Sequence, residues 1–348
     1  MDMKKSRHHC VEKSILAIAC VVMMCLCNFC MSKGWYVIGE ALIAGVPLSL
    51  LLLGYLAGLE KIEKPFCWLS GKALYLVPYL VLVIIMYSAY TVSGKAYVTS
   101  TQWLFCIFNI QGLNYTIWKF NGYEAVAGFS HLWILTTIAI CYLITPLLQK
   151  IKRVNFTSVK RAIVVIGLLL AQLGLLFLGV QLSYIITYVV GYIMATRPIR
   201  TDGKWYAFVS IMTAVVTAVR LLARELWDGT IFYNSYVALI SSAMIGAWIF
   251  YTVFFFGDKL PKIYKALDCR AMEMIAEIFC YVYLIHYLFI KGSFSVGGYI
   301  DNKVIEPLLI IVFSVISGAI LWFVTEKIIF KTIKTAFRRK NEDFSCCA

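Results

Sequence analysis

Apolar runs of about 20 residues recur along nearly the whole chain, with short polar joints between them. A helix rising 1.5 Å per residue crosses the roughly 30 Å hydrocarbon core of a bilayer in about that length. In hydrocarbon every backbone N–H and C=O must find an internal partner, so only helices or closed barrels can span. Runs this long and unbroken are not the alternating segments of about ten residues that build a barrel. The chain therefore reads as all-α, a polytopic membrane helix bundle. Composition agrees: 61% of its 348 residues are hydrophobic and 14% are charged, where soluble domains carry about 25% charged residues.

Ten spans are predicted, at 14–31, 37–58, 73–92, 131–148, 161–179, 181–196, 205–223, 234–256, 272–290 and 306–328. Gly179 and Val180 nearly alone separate the fifth from the sixth, which implies a tight helical hairpin. The first run follows Lys4, Lys5 and Arg7 with no small-residue cleavage site and reads as a retained span. With the N-terminus in the cytoplasm and ten crossings, 25 of the 32 Lys and Arg residues fall on the cytoplasmic side and 7 on the outer side. This is the positive-inside pattern, and it repeats at every loop. Both termini are then cytoplasmic, and 1–348 is one membrane-embedded domain with basic tails at 1–13 and 329–348. The longest loop, about 93–130, is rich in aromatic residues and is expected to pack on the membrane surface or dip back into the bundle.

The formal net charge of +14 does not signal nucleic acid, because the bases sit in short loops where they set orientation. Twelve cysteines are present, and Cys20, Cys25, Cys27 and Cys30 crowd the first span. No Cys-x-x-Cys pairs with a second at zinc spacing, so they read as small hydrophobes. The terminal Ser345-Cys346-Cys347-Ala348 is not a prenylation box. No metal cluster, Gly-rich phosphate loop or Gly-x-Ser-x-Gly elbow is seen, and no bound cofactor is expected.

Any chemistry must come from polar side chains within the spans, which are costly in lipid and default to functional candidates. Glu40 stands near the outer end of span two, and Glu277 lies inside span nine, nine residues before His286. Arg220 and Arg224 share one helix face at the outer end of span seven. They either snorkel to the outer headgroups with Glu225 as ion-pair partner, or form an anion or sugar site. His131 opens span four beside Trp133, and His286 is read as mid-span in span nine. Each is a candidate proton shuttle; the plainer readings are an interfacial anchor and a packed, hydrogen-bonded residue.

Four stretches resemble, in order, the integral membrane acyltransferases of acyltransferase family 3. They are "GVPLSLLLLGYLAGLEK" with Gly54-Tyr55-Leu56, "SGKALYLVPYLVLVI" with Pro78-Tyr79, "HLWILTTIAICYLITPLL" from His131, and "YVYLIHYLFI" with His286. The family's ten-span count is the same. The chain also departs from the family pattern. The family usually pairs a basic residue with a histidine about eleven positions on in the first span. Lys13 matches the base, but Met24 stands at the histidine's spacing and Asn28 is the nearest polar residue. The Arg-x-x-Arg before span three, associated with the acyl donor, is reduced to Lys72 and Tyr75.

The resemblance implies an O-acyltransferase of the bacterial inner membrane. It would move an acyl group, expected to be acetyl, from a cytoplasmic thioester such as acyl-CoA to a sugar hydroxyl of a surface polysaccharide or glycolipid. Lys13 and Lys72 would meet the donor, His131 or His286 would supply the base, and Arg220, Arg224 and Trp133 would meet the acceptor. Two alternatives stay open: a family member that binds lipid or glycan without acylating it, and a polysaccharide transporter or polymerase.

Overall fold

The computed structural model describes residues 2–93, 99–110, 128–152, 183–195, 201–227, 237–291 and 294–332 (301 and 303 excepted), with isolated positions at 163, 167, 170 and 199. Among them there is no strand. The helices, in chain order, are α1 (Asp2–Ser32), α2 (Tyr36–Leu42), α3 (Gly45–Leu59), α4 (Pro65–Ala73), α5 (Val77–Ser93) and α6 (Ser100–Ile107). They continue as α7 (Trp133–Lys152), α8 (Ser183–Met194), α9 (Gly203–Trp227), α10 (Ala238–Lys259), α11 (Pro261–Leu267), α12 (Arg270–Ile290) and α13 (Ile305–Trp322). A wider π-turn, Phe323–Ile329, extends α13.

Eight stretches of the described residues are long and apolar enough to cross a membrane, and they fall on predicted spans one to four and seven to ten. The sixth predicted span is seen over its described part as α8, and of the fifth only positions 163, 167 and 170 are described, all three helical and exposed. Span two is one apolar crossing made of two helices. The break falls at Gly45, where a Cβ would stand 2.9 Å from the Cys20 carbonyl oxygen and the Met23 Cβ of α1.

The outward faces confirm the class. On α9 the exposed apolar residues Phe208, Ile211, Val215, Val219, Leu222 and Leu226 recur at three- and four-residue steps, a helical stripe turned away from the protein. Water does not tolerate a face of that extent on a monomer; lipid does. The bundle interior forms around α3, eleven of whose 15 residues are buried. The packing of α8 on α3 is backbone against backbone. A Cβ on Gly54 would meet the Tyr188 carbonyl oxygen at 2.0 Å, and one on Gly191 would meet the Leu51 carbonyl oxygen at 2.1 Å. Gly54 and Gly58 are four apart, and the Gly-x-x-x-Gly spacing lets membrane helices approach this closely.

Contacts between helix ends sort the bundle into two faces. At one, Lys33 after α1 pairs with Glu306 of α13, and Arg220 late in α9 pairs with Glu40 of α2. At the other, Lys72 of α4 pairs with Glu60 after α3, and Thr201 before α9 bonds Asp258 late in α10. We call these the histidine end and the Lys72 end. The described part of the long loop dips back into the bundle: Trp103 of α6 is buried against Tyr87, Tyr90 and Phe129. Residues 111–127 lie outside the described residues.

Candidate functional site

His131 stands in a single 3₁₀ turn, Ser130–Leu132, that leads into α7. The turn is reached through Gly128, whose φ of +86° is left-handed and favours glycine. A Cβ there would lie 2.6 Å from Leu288 Cδ2 and 3.2 Å from the Lys291 carbonyl oxygen. Gly128 thus lets the chain enter α7 pressed against the end of α12. That puts His131 opposite Tyr283 and His286, which are one turn apart on α12.

The two imidazoles are neighbours, with ring centroids 4.8 Å apart. Both are buried, His131 at 5% exposure and His286 at 2%. One backbone carbonyl serves both. His131 Nε2 lies 3.0 Å from the Tyr283 oxygen, and His286 Nδ1 lies 2.8 Å from it. A carbonyl oxygen only accepts, so each facing nitrogen carries its proton. The remaining nitrogens, His131 Nδ1 and His286 Nε2, therefore hold lone pairs. Tyr283 grips His131 a second time: its hydroxyl donates to the His131 carbonyl oxygen at 2.7 Å. Tyr287 adds a ring 5.0 Å from the His131 imidazole.

The lone pairs differ in their surroundings. His286 Nε2 accepts from Asn28 Nδ2 of α1 at 3.0 Å. His131 Nδ1 is buried and makes no hydrogen bond of good geometry among the described residues, although the Gly128 and Leu284 backbones also approach the imidazole. Of the pair, His131 holds the unengaged acceptor and His286 the engaged one.

Sequence reasoning treated the two histidines as rivals at different depths, and the structure corrects this. His286 is not mid-span. It lies four residues before Ile290, where α12 ends, about 6 Å of helical rise, which is level with the entrance of α7. The role of Tyr283 was missed, although a polar aromatic three residues before a buried histidine is a usable signal. Asn28 was noticed as polar but not as a partner, because the contact joins residues 258 positions apart.

A second polar cluster sits at the same end. Arg220 is 4% exposed. Its Nη1 donates to Ser241 Oγ at 3.1 Å and Ser242 Oγ at 3.2 Å, and its Nη2 donates to Glu40 Oε2 at 3.2 Å. Arg224 Nη1 is 4.0 Å from the same carboxylate oxygen. Snorkelling is therefore overturned for Arg220, and the ion-pair partner is Glu40, not Glu225. Glu225 is exposed; as the neighbour of Arg224 it points about 100° away around the helix, whereas facing pairs are three or four apart. Trp133 is not brought to the arginines; its ring lies 5.0 Å from that of Tyr184 on α8.

Lys72 and Lys13 are at the opposite end. Lys72 Nζ pairs with Glu60 Oε1 at 2.7 Å and lies over the rings of Trp68 and Tyr142 at 5.1 and 5.7 Å. Trp68 also donates its indole N–H to Glu60. Lys13 is exposed on α1 and is not joined to Lys72. Nearby, the Tyr264 hydroxyl is held above the ordinary tyrosine range by burial first and by the adjacent Glu12 carboxylate second. No group of three or more metal-ligating side chains occurs among the described residues.

No curated protein and no solved structure matches the chain. The family model of an acyltransferase domain matches residues 15–327, from α1 through the turn that follows α13. The match takes in Asn28, His131, Tyr283 and His286 together with both polar ends of the bundle, and on it the chain belongs to acyltransferase family 3.

Proposed function

We propose that the protein is an O-acyltransferase of the bacterial inner membrane that transfers an acyl group, acetyl in the first instance, from a cytoplasmic acyl-CoA to a sugar hydroxyl of a surface polysaccharide or glycolipid. The observation that carries the reading is the buried His131 Nδ1 within a chain of this family. A general base needs a lone pair that is oriented and not already engaged. In the tautomer that donates from Nε2 to the Tyr283 carbonyl, His131 keeps a lone pair on Nδ1. The acceptor hydroxyl gives its proton to Nδ1 as its oxygen attacks the thioester carbonyl. The C–O bond forms, the C–S bond breaks, and the thiolate of CoA leaves and takes up the proton. His286, anchored by Asn28, keeps the neighbouring ring in register.

The positive-inside pattern orients the Lys72 end to the cytoplasm, the side on which acyl-CoA is made. Lys72 and Lys13 would meet the donor's phosphates there, and Arg220 and Arg224 would meet the acceptor at the outer face. Trp133 keeps an acceptor role only through its neighbourhood to His131 in sequence. The binding-only alternative draws on one observation: the family's first-span histidine is absent, and Asn28 cannot take a proton at neutral pH. Mass spectrometry of surface glycan from a deletion strain and its complemented parent tests the reading. Ester-linked acyl groups present only with the protein support it. Identical glycans with a remaining growth or export defect would replace it with the binding-only alternative.

A further inference from the structure

Among the described residues, ion pairs offset only part of the arginine cluster's positive charge. Arg220 and Arg224 share the Glu40 carboxylate, which leaves one positive charge over among the described residues. The serines do not offset it. Ser241 and Ser242 donate their hydroxyl protons to the Ala238 carbonyl oxygen at 2.9 and 2.6 Å, so they present only lone-pair dipoles to Arg220. A buried charge is costly unless paired and hydrogen-bonded. Yet Arg224 Nη1, itself buried, has no hydrogen-bond partner among the described residues. Arg220 and Arg224 are four residues apart on one face of α9. Two guanidiniums so placed can each give a fork of N–H groups to one tetrahedral anion.

The setting identifies the anion's carrier. Glu40 belongs to α2, whose first turn and preceding residue, Trp35, Tyr36, Val37 and Ile38, are each more than half exposed. Aromatic residues exposed at the end of a membrane helix sit at headgroup level. Around the arginines, Val219, Leu221 and Leu222 of α9 are also more than half exposed to lipid. Glu40 and Arg224 keep about a fifth of their side-chain surface open, whereas Arg220 keeps 5%. The cluster therefore opens at the depth where lipid phosphates lie. It also stands close to the imidazoles along the fold: α2 rests on α1 with Gly39 against Met31, three residues beyond Asn28.

We infer that Arg220 and Arg224 form a binding site for the phosphate of a membrane lipid, with Glu40 as the resident counter-anion that the phosphate displaces or shares. The inference rests on the acceptor reading of these arginines and narrows it: the acceptor reaches the enzyme as a lipid-borne phosphate compound, a lipid-linked sugar or a phospholipid, and not as free neutral polymer.

The test uses the full chain purified in a neutral detergent, with no acyl donor present. Binding is followed by the rise in Tm on titration with farnesyl diphosphate, with dioleoylphosphatidylglycerol, and with farnesol as the neutral control. We expect a saturable rise with a phosphate-bearing lipid and none with farnesol. R224Q weakens the binding at least tenfold. Because Arg224 is partly open and its Nη1 makes no hydrogen bond among the described residues beyond a 4.0 Å approach to Glu40, this variant keeps the fold. E40Q, which removes the competing carboxylate, tightens it severalfold. A response to farnesyl diphosphate alone identifies a polyprenyl-phosphate carrier as the source, and an equal response to phosphatidylglycerol identifies bulk headgroups. No response to either phosphate lipid, an equal response to farnesol, or unchanged binding in R224Q overturns the inference. Intact phosphate binding in a protein that acylates nothing would instead overturn the acyltransfer reading and leave this site standing.

Discussion

Replacing Gly54 with alanine would test whether the helix that carries Tyr188 is held to the core by backbone contact. The added Cβ would stand 2.0 Å from the Tyr188 carbonyl oxygen and 2.9 Å from its carbonyl carbon. Real Cβ atoms keep at least 3.0 Å, so α3 and α8 must separate by about 1 Å. Neither obstructing atom is a side chain that can swing aside. A gap of that size forfeits a quarter to a half of each dispersion contact along the interface. Overpacking of cores costs about 1–3 kcal/mol, and a backbone obstruction belongs at the upper part, about 2–3 kcal/mol. That raises the unfolded fraction about 30- to 150-fold. The control is Gly71→Ala in α4, where an added Cβ meets nothing within 4 Å. There alanine gains helix propensity of up to about 1 kcal/mol. Thermal unfolding in one detergent, followed by survival of the monodisperse protein, compares the two. Gly54→Ala must lose stability and Gly71→Ala must not. Equal stability in the two variants would refute the close packing of α3 on α8.

Three further outcomes are expected. Asn28→Leu leaves His286 Nε2 buried without its donor, which costs about 1–3 kcal/mol of stability; it reduces acyl transfer less than loss of His131 does, and unfolding and transfer assays on one preparation read both. Lys72→Met raises the KM for acyl-CoA about 10-fold or more with kcat unchanged, the worth of one charge-assisted contact. Glu60→Gln, which frees Lys72 from its partner, lowers that KM, and steady-state kinetics at fixed acceptor separates the two. The raised Tyr264 titration means the folded state keeps a proton that the unfolded state gives up near pH 10. Stability from this group is complete below pH 10 and is lost as pH climbs past it. Tyr264→Phe flattens that alkaline loss, and it costs about 1 kcal/mol at neutral pH through the missing bond to the Val253 carbonyl oxygen.

The class of fold was legible because span length is a property of lipid thickness, and eight predicted spans coincide with apolar helices long enough to cross. The break in span two was not legible. It reflects where the backbone of α1 approaches, and the sequence shows that only as an isolated glycine. In the site, His131 and His286 stood out because imidazole is conspicuous in an apolar run. Their pairing did not, since it depends on the turn at Gly128 that aligns the start of α7 with the end of α12. The arginines were recognised and their partner was not: Glu225 is adjacent in sequence, but helical geometry faces Arg220 toward Glu40, 180 residues away. Position along a chain ranks partners poorly once several spans converge on one end of a bundle.

The central claim is that His131 is the base of an acyl transfer. The direct measurement is transfer from labelled acetyl-CoA in membrane vesicles to extracted surface glycan, scored as alkali-labile label, for the native chain and for His131→Gln at equal protein level. Loss of a positioned general base removes about 10²- to 10⁴-fold in rate, so the account predicts robust labelling by the native chain and a fall of at least 100-fold in the variant. Labelling by His131→Gln at the native rate would contradict it.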